Sequence, residues 1–223
     1  MREITTTLEH RILVPESSGA VMHPTMIMLH GRGADEEDLI GLAGHYDPRF
    51  LVLSVRAPYP FSLGGGYTWY DVGKIGTPDP AMFRMSYDRL SRFLDDALHG
   101  YPVDPSQVFL FGFSMGTVMA FALSLTRPEL FRGVIANSGY VPEGTHLTLR
   151  WREIGNLAFF IAHGTEDPVI PIDFARRAKQ LFEESDARVT YREYAMGHQI
   201  SEESVRDSAL FLRGLSGPAT GLR

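Results

Sequence analysis

Ser114 in "GFSMG", Asp167 in "HGTEDPVIP" and His198 in "MGHQIS" are the residues whose types and order could carry nucleophilic catalysis. A serine hydroxyl attacks poorly unless a base takes its proton and a carboxylate orients that base. Ser114 follows the apolar run "VFLF" and precedes the helix-forming "MGTVMAFALS". A strand that turns sharply into a helix lifts the serine clear of the sheet edge, at the cost of strained backbone angles. Gly112 and Gly116 flank it, and their missing side chains let strand and helix approach closely. The Met115 N–H would then head the helix and could face a developing oxyanion. The same local pattern also fits a plain turn in which Ser114 caps the helix.

A serine on such a turn implies the order Ser, then Asp or Glu, then His. His198 is the one histidine C-terminal to His163, on a loop between a predicted strand and helix. Asp167 directly follows the buried strand in "LAFFIAHGTEDPVIP", where Pro168 and Pro171 stiffen the loop. Glu166 is its neighbour and competitor. Asp173 reads as a helix N-cap and Asp186 as a turn residue. A second oxyanion donor is expected after an early central strand, and "TMIMLHGRGAD" supplies Arg32 between Gly31 and Gly33. The two glycines could also suggest a phosphate loop, but neither a third glycine nor a Gly-Lys-Ser/Thr follows.

These residues need a frame that gathers loops at one edge of a sheet. The near-continuous apolar runs predict strands buried on both faces, hence a parallel sheet between helices. Strands are expected at 4–14, 25–29, 51–55, 108–111, 133–136, 157–162 and 188–194. Helices are expected at about 86–101, 115–125, 173–184 and 201–215, the last opening with Ser201 as N-cap in "SEES". The fold class is α/β, and one domain over residues 1–223 fits the length of 223 residues. Lys and Arg total 21 against 27 acidic residues, a net charge of −6, which gives no footprint for nucleic acid. No cysteine is present, excluding a thiol nucleophile and thiolate metal sites. No metal-ligand spacing appears, and neither a metal nor a cofactor is expected. "MREITTTLEHRILVP" has no signal-peptide core and no stretch is apolar enough to span a membrane, so a cytoplasmic location without stable membrane insertion is expected.

"LHGRGAD", "GYTWYDVG", "GFSMGTVMAFALS", "FRGVIANSGYVP", "HGTEDPVIP" and "MGHQIS" together resemble the phospholipase/carboxylesterase family of α/β-hydrolases, which includes acyl-protein thioesterase-like enzymes. The resemblance runs from about Leu29 to Ser201. It implies a mostly parallel sheet flanked by helices on both faces, without a large lid domain. It implies a serine esterase with nucleophile Ser114, acid Asp167, base His198 and backbone donors Arg32 and Met115. Eukaryotic acyl-protein thioesterases resemble "GFSQGG" at the elbow and usually carry an apolar residue where this chain has Arg32. Both donors act through backbone, so catalysis is expected to tolerate these differences. Family members often resemble homodimers.

The expected activity is hydrolysis of short- to medium-chain carboxylic esters through an acyl-enzyme. A lysophospholipase or acyl thioesterase using the same triad is the alternative, and a non-catalytic binder of small hydrophobic ligands is the rival from another class. Trp69 and Tyr70, in the long Gly/Pro-rich stretch "PFSLGGGYTWYDVGKIGTPDP", are candidate substrate-pocket residues. Residues 141–156, "VPEGTHLTLRWREIGN", could form a small cap.

Overall fold

The computed structural model describes residues 4–15 and 22–215. Its strands, in chain order, are β1 (His10–Leu13), β2 (His23–Leu29), β3 (Leu51–Val55), β4 (Tyr59–Pro60), β5 (Tyr67–Thr68), β6 (Val72–Lys74), β7 (Thr77–Pro78), β8 (Val103–Phe113), β9 (Gly133–Asn137), β10 (Ala158–Gly164) and β11 (Arg188–Tyr194). The helices are α1 (Pro80–Gly100), α2 (Met115–Thr126), α3 (Asp173–Glu183) and α4 (Glu202–Leu215).

Seven strands form the central sheet in the order β1-β3-β2-β8-β9-β10-β11. Every neighbouring pair is parallel except the edge pair β1–β3. All residues of β3, β9 and β10 are buried, as strands covered on both faces must be. Their side chains alternate between two cores. Leu110, Phe159 and Ile161 join one with α1, α2 and α3, while Phe109, Phe111 and Phe160 join the other with α4. Helices therefore cover both faces, and the carboxyl ends of the parallel strands are left to carry loops.

Helix α2 is buried from Met115 to Leu125, which explains its uniformly apolar sequence. Helix α1 begins at Pro80 rather than near Ser86, because Asp79 caps it by accepting from the N–H groups of Ala81 and Met82 and Pro80 suits the first turn. Asp173 is the first residue of α3 and not its N-cap, a position taken by Ile172 with no capping side chain. Ser201 does cap α4: its Oγ accepts from the Ser204 N–H at 3.1 Å, and Ser204 Oγ accepts in return from the Ser201 N–H at 3.0 Å. The first expected strand is shorter than its sequence suggests, starting at His10 rather than Ile4. The long stretch after β3 holds two small hairpins, β4–β5 and β6–β7. The 141–156 segment lays Leu147, Leu149 and Trp151 on the core, with Trp151 and Phe182 ring centroids 5.2 Å apart, so most of it is not a cap.

Candidate active site

Ser114 closes β8 and opens α2 with φ 55° and ψ −119°, a left-handed backbone that a non-glycine residue holds only under strain. The surroundings over-determine it. The Ser114 N–H donates to Asn137 O at 2.9 Å, and the Thr117 N–H donates to Ser114 O at 3.0 Å. A Cβ on Gly112 would lie 2.5 Å from Thr117 Cα, and one on Gly116 would collide with the Leu29 carbonyl. Only glycine permits the strand and helix to meet here. Ser114 makes no side-chain capping bond, so the plain-cap reading fails. Its Oγ instead lies 2.9 Å from His198 Nε2.

His198 is four residues beyond the end of β11, on the loop leading to α4, and its ring rests 5.0 Å from that of Phe113, centroid to centroid. Its Nδ1 is 2.7 Å from Asp167 Oδ2. A carboxylate can only accept, so Nδ1 carries the proton and Nε2 is left to accept from the serine. Asp167, after β10, has a fully buried carboxylate. Its Oδ1 accepts the N–H groups of Val169 and Ile170, both at 2.8 Å, fixing the loop. Glu166, the competitor, is exposed, whereas Asp167 is buried. Ser114, His198 and Asp167 thus stand in one hydrogen-bonded line.

His163 is a further member that the sequence reading passed over. Its buried Nε2 donates to Ile170 O at 2.8 Å and lies 3.3 Å from Asp167 Oδ2. Burial pulls its pKa below the ordinary 6.5, against the opposing pull of the Ile170 carbonyl and Asp167, so the ring stays neutral. The only signal in the sequence was a histidine four residues ahead of the candidate acid.

Arg32 follows β2, next to β8 in the sheet, in a turn tied down on two sides. The Gly33 N–H donates to Tyr67 O and the Tyr67 N–H to Ala34 O, both at 2.8 Å. His30, fully buried, accepts the Ala57 N–H on Nε2 at 3.0 Å and donates from Nδ1 to Gly31 O at 2.6 Å. Burial lowers its pKa as well, which suits this neutral tautomer. Met115 is the first residue of α2, where N–H groups have no partner within the helix. Arg32, Ser114 and Met115 border one cavity of about 190 Å³, with Val72, Ile75 and Tyr140 among its walls.

The pocket expectation for Trp69 and Tyr70 is corrected. Both are fully buried and neither borders the cavity. Trp69 Nε1 donates to His30 O at 2.9 Å, bracing the turn before Arg32, and the Tyr70 hydroxyl sits 3.4 Å from that of Tyr140 behind the cavity wall. Large aromatic rings in a Gly-rich segment found the core because apolar area is stabilised there. Among the described residues, no group of three or more His, Asp or Glu is placed to hold a metal.

The phospholipase/carboxylesterase family model matches residues 11–216. The chain belongs to the phospholipase/carboxylesterase family. Acyl-protein thioesterase 1 of Saccharomyces cerevisiae is 31% identical over 85% of this chain and 91% of its own length. The protein of the same name from Candida albicans is 23% identical over 89% and 95%. The Bacillus cereus carboxylesterase structure superposes with a TM-score of 0.82 at 25% identity, over 94% of this chain and 95% of that one. This family member has the α/β-hydrolase fold, and it is a carboxylic ester hydrolase, a serine hydrolase of the carboxylesterase/acyl-protein thioesterase type.

Proposed function

We propose that the enzyme hydrolyses short- to medium-chain carboxylic esters through an acyl-enzyme on Ser114. His198 Nε2 takes the hydroxyl proton as Ser114 Oγ bonds to the ester carbonyl carbon, and Asp167 stabilises the imidazolium. The carbonyl oxygen becomes an oxyanion received by the N–H groups of Arg32 and Met115. Collapse breaks the bond to the leaving alkoxide, which takes the proton from His198 and departs as alcohol. Water then gives a proton to His198, attacks the acyl carbon and releases the carboxylic acid, restoring Ser114. The observation that carries this reading is the unbroken line from Ser114 Oγ through His198 to Asp167, at 2.9 and 2.7 Å.

Chain length is argued from the cavity. Its roughly 190 Å³ falls below the ~300–1,000 Å³ of clefts that engulf drug-sized ligands, which favours short acyl groups. The names of the yeast relatives support a second reading, acyl thioesterase activity with the same residues, and a lysophospholipid would be handled likewise. A panel of p-nitrophenyl esters from acetyl to palmitoyl, beside a palmitoyl thioester and a lysophospholipid, tests both. Rates that peak at short acyl chains support the esterase reading, and rates highest on the palmitoyl thioester overturn it. Absence of turnover on every substrate would favour the non-catalytic ligand binder.

The same proposal takes residues 1–223 as one domain acting on a small molecule in the cytoplasm. No described helix is long and apolar enough to cross a membrane. A homodimer is the assembly that the family resemblance offers, and sedimentation equilibrium reads it directly.

A further inference from the structure

Two cationic residues, Arg32 and Lys74, border the cavity that holds Ser114, and no acidic residue is among those lining it. The protein as a whole is acidic, with a net charge of −6. Elsewhere its arginines are commonly neutralised: Arg56 by Glu36 and Glu9, Arg127 by Asp95, Arg150 by Glu129 and Glu153, Arg177 by Glu143. Arg32 and Lys74 form no ion pair among the described residues. Arg32 is steadied instead by the Phe61 face, its guanidinium carbon 5.5 Å from the ring centroid. That contact fixes the group without cancelling its charge or occupying its donors.

We infer that the preferred substrates are esters bearing an anionic group, a carboxylate within a few bonds of the scissile carbonyl, held by Arg32 and Lys74. The inference rests on the serine esterase reading and adds a substrate class to it. Lys74 reaches the cavity from the β6–β7 hairpin and Arg32 from the turn after β2, so two independent elements converge on one space. The other walls include Val72, Ile75, Val169 and Ile170, apolar groups that suit a short hydrocarbon spacer, beside Tyr140. A positive cleft with low-dielectric walls concentrates field and draws anions in, even on an acidic protein. A guanidinium offers a carboxylate paired donors, whereas a neutral ester gives neither cation a partner.

The test compares matched pairs on the full-length enzyme at low ionic strength. One pair places the charge on the acyl side, mono-p-nitrophenyl glutarate against p-nitrophenyl butyrate. The other places it on the alcohol side, 4-acetoxybenzoate against phenyl acetate. Each kcat/KM is divided by the hydroxide rate constant of the same ester. The acidic member of at least one pair is expected to be favoured on the order of ten-fold, the worth of one charge-assisted hydrogen bond. Added salt should erode that ratio, and Lys74→Gln and Arg32→Gln should each reduce it toward one. The pair that shows the preference locates the anion. No preference in either pair, or one that survives both substitutions, overturns the inference. If Ser114 still reacts with a neutral phosphonate and the neutral esters still turn over, that failure is confined to the anion site. An enzyme that turns over none of the four esters and leaves Ser114 unlabelled instead overturns the esterase reading along with it.

Discussion

Asp167 divides its carboxylate between two tasks: Oδ2 meets His198 Nδ1 at 2.7 Å, while Oδ1 holds the N–H groups of Val169 and Ile170. Asp167→Asn can keep its carbonyl oxygen on the loop and lose the acceptor for His198. The expected result is a fold of near wild-type stability with kcat lower by about 10⁴, the penalty for a base held in the wrong tautomer. Circular dichroism melts beside ester kinetics check it, and an activity loss under ten-fold would remove Asp167 from the proposed role.

His30 and His163 predict an acid limit to stability. Burial depresses both below the ordinary 6.5, so the unfolded chain binds protons that the folded chain refuses. Stability is therefore full above about pH 6.5 and falls as pH drops below it, levelling once each folded-state pKa is reached. Urea unfolding at pH 7.5 and 5.5 should show the loss, and His163→Gln should flatten the slope. A stability independent of pH over that range would contradict the neutral, buried assignment.

Gly116→Ala tests the elbow packing. The added Cβ meets the Leu29 carbonyl, which belongs to the central sheet and cannot turn aside as a flexible side chain would. Overpacking of this kind costs about 1–3 kcal/mol, so the melting temperature should fall by several degrees and ester hydrolysis with it. Gly144→Ala, with open space around its Cβ, is the control expected to change neither.

Arg32→Pro removes the proposed oxyanion N–H while the turn remains tied through Gly33 and Tyr67. Loss of one such donor lowers kcat about 10²–10³-fold. Unfolding midpoints and phosphonate labelling of Ser114 separate that loss from a distorted loop. A proline variant with wild-type kcat would assign the donor elsewhere.

How much of this was legible follows from the kind of signal each residue carries. "VFLFGFSMG" announces strand, turn and helix by composition and by glycine placement, and Ser114 stands there with the strained backbone such a turn demands. Asp167 was found because it follows an apolar run that reads as a buried strand, and His198 because it is the one histidine C-terminal to His163, on a loop between a predicted strand and a predicted helix. The start of α1 was missed although "DP" at Asp79–Pro80 is a capping signal, because the helix was traced from its apolar face, which begins later. Trp69 and Tyr70 misled for the opposite reason. Aromatic residues in a Gly-rich loop look like a pocket, yet the two hairpins fold them beneath the loop, where Trp69 braces His30. His30 and His163 carry no local pattern at all. Their role comes from contacts between strands and loops distant in sequence, which spacing cannot display. The cationic border of the cavity was only half visible, since Arg32 lies in a motif whereas Lys74 is brought there by the β6–β7 hairpin.

The account turns on Ser114 being the one nucleophile, activated by His198, and active-site labelling measures this directly. Intact-mass spectrometry after treatment with a neutral p-nitrophenyl phosphonate, followed by peptide mapping, should find a single adduct, on Ser114. Ser114→Ala should take up no label and lose at least about 10³-fold in ester hydrolysis. His198→Ala should label far more slowly than wild type while remaining folded. An adduct on another serine, or ester hydrolysis undiminished in Ser114→Ala, would contradict the account.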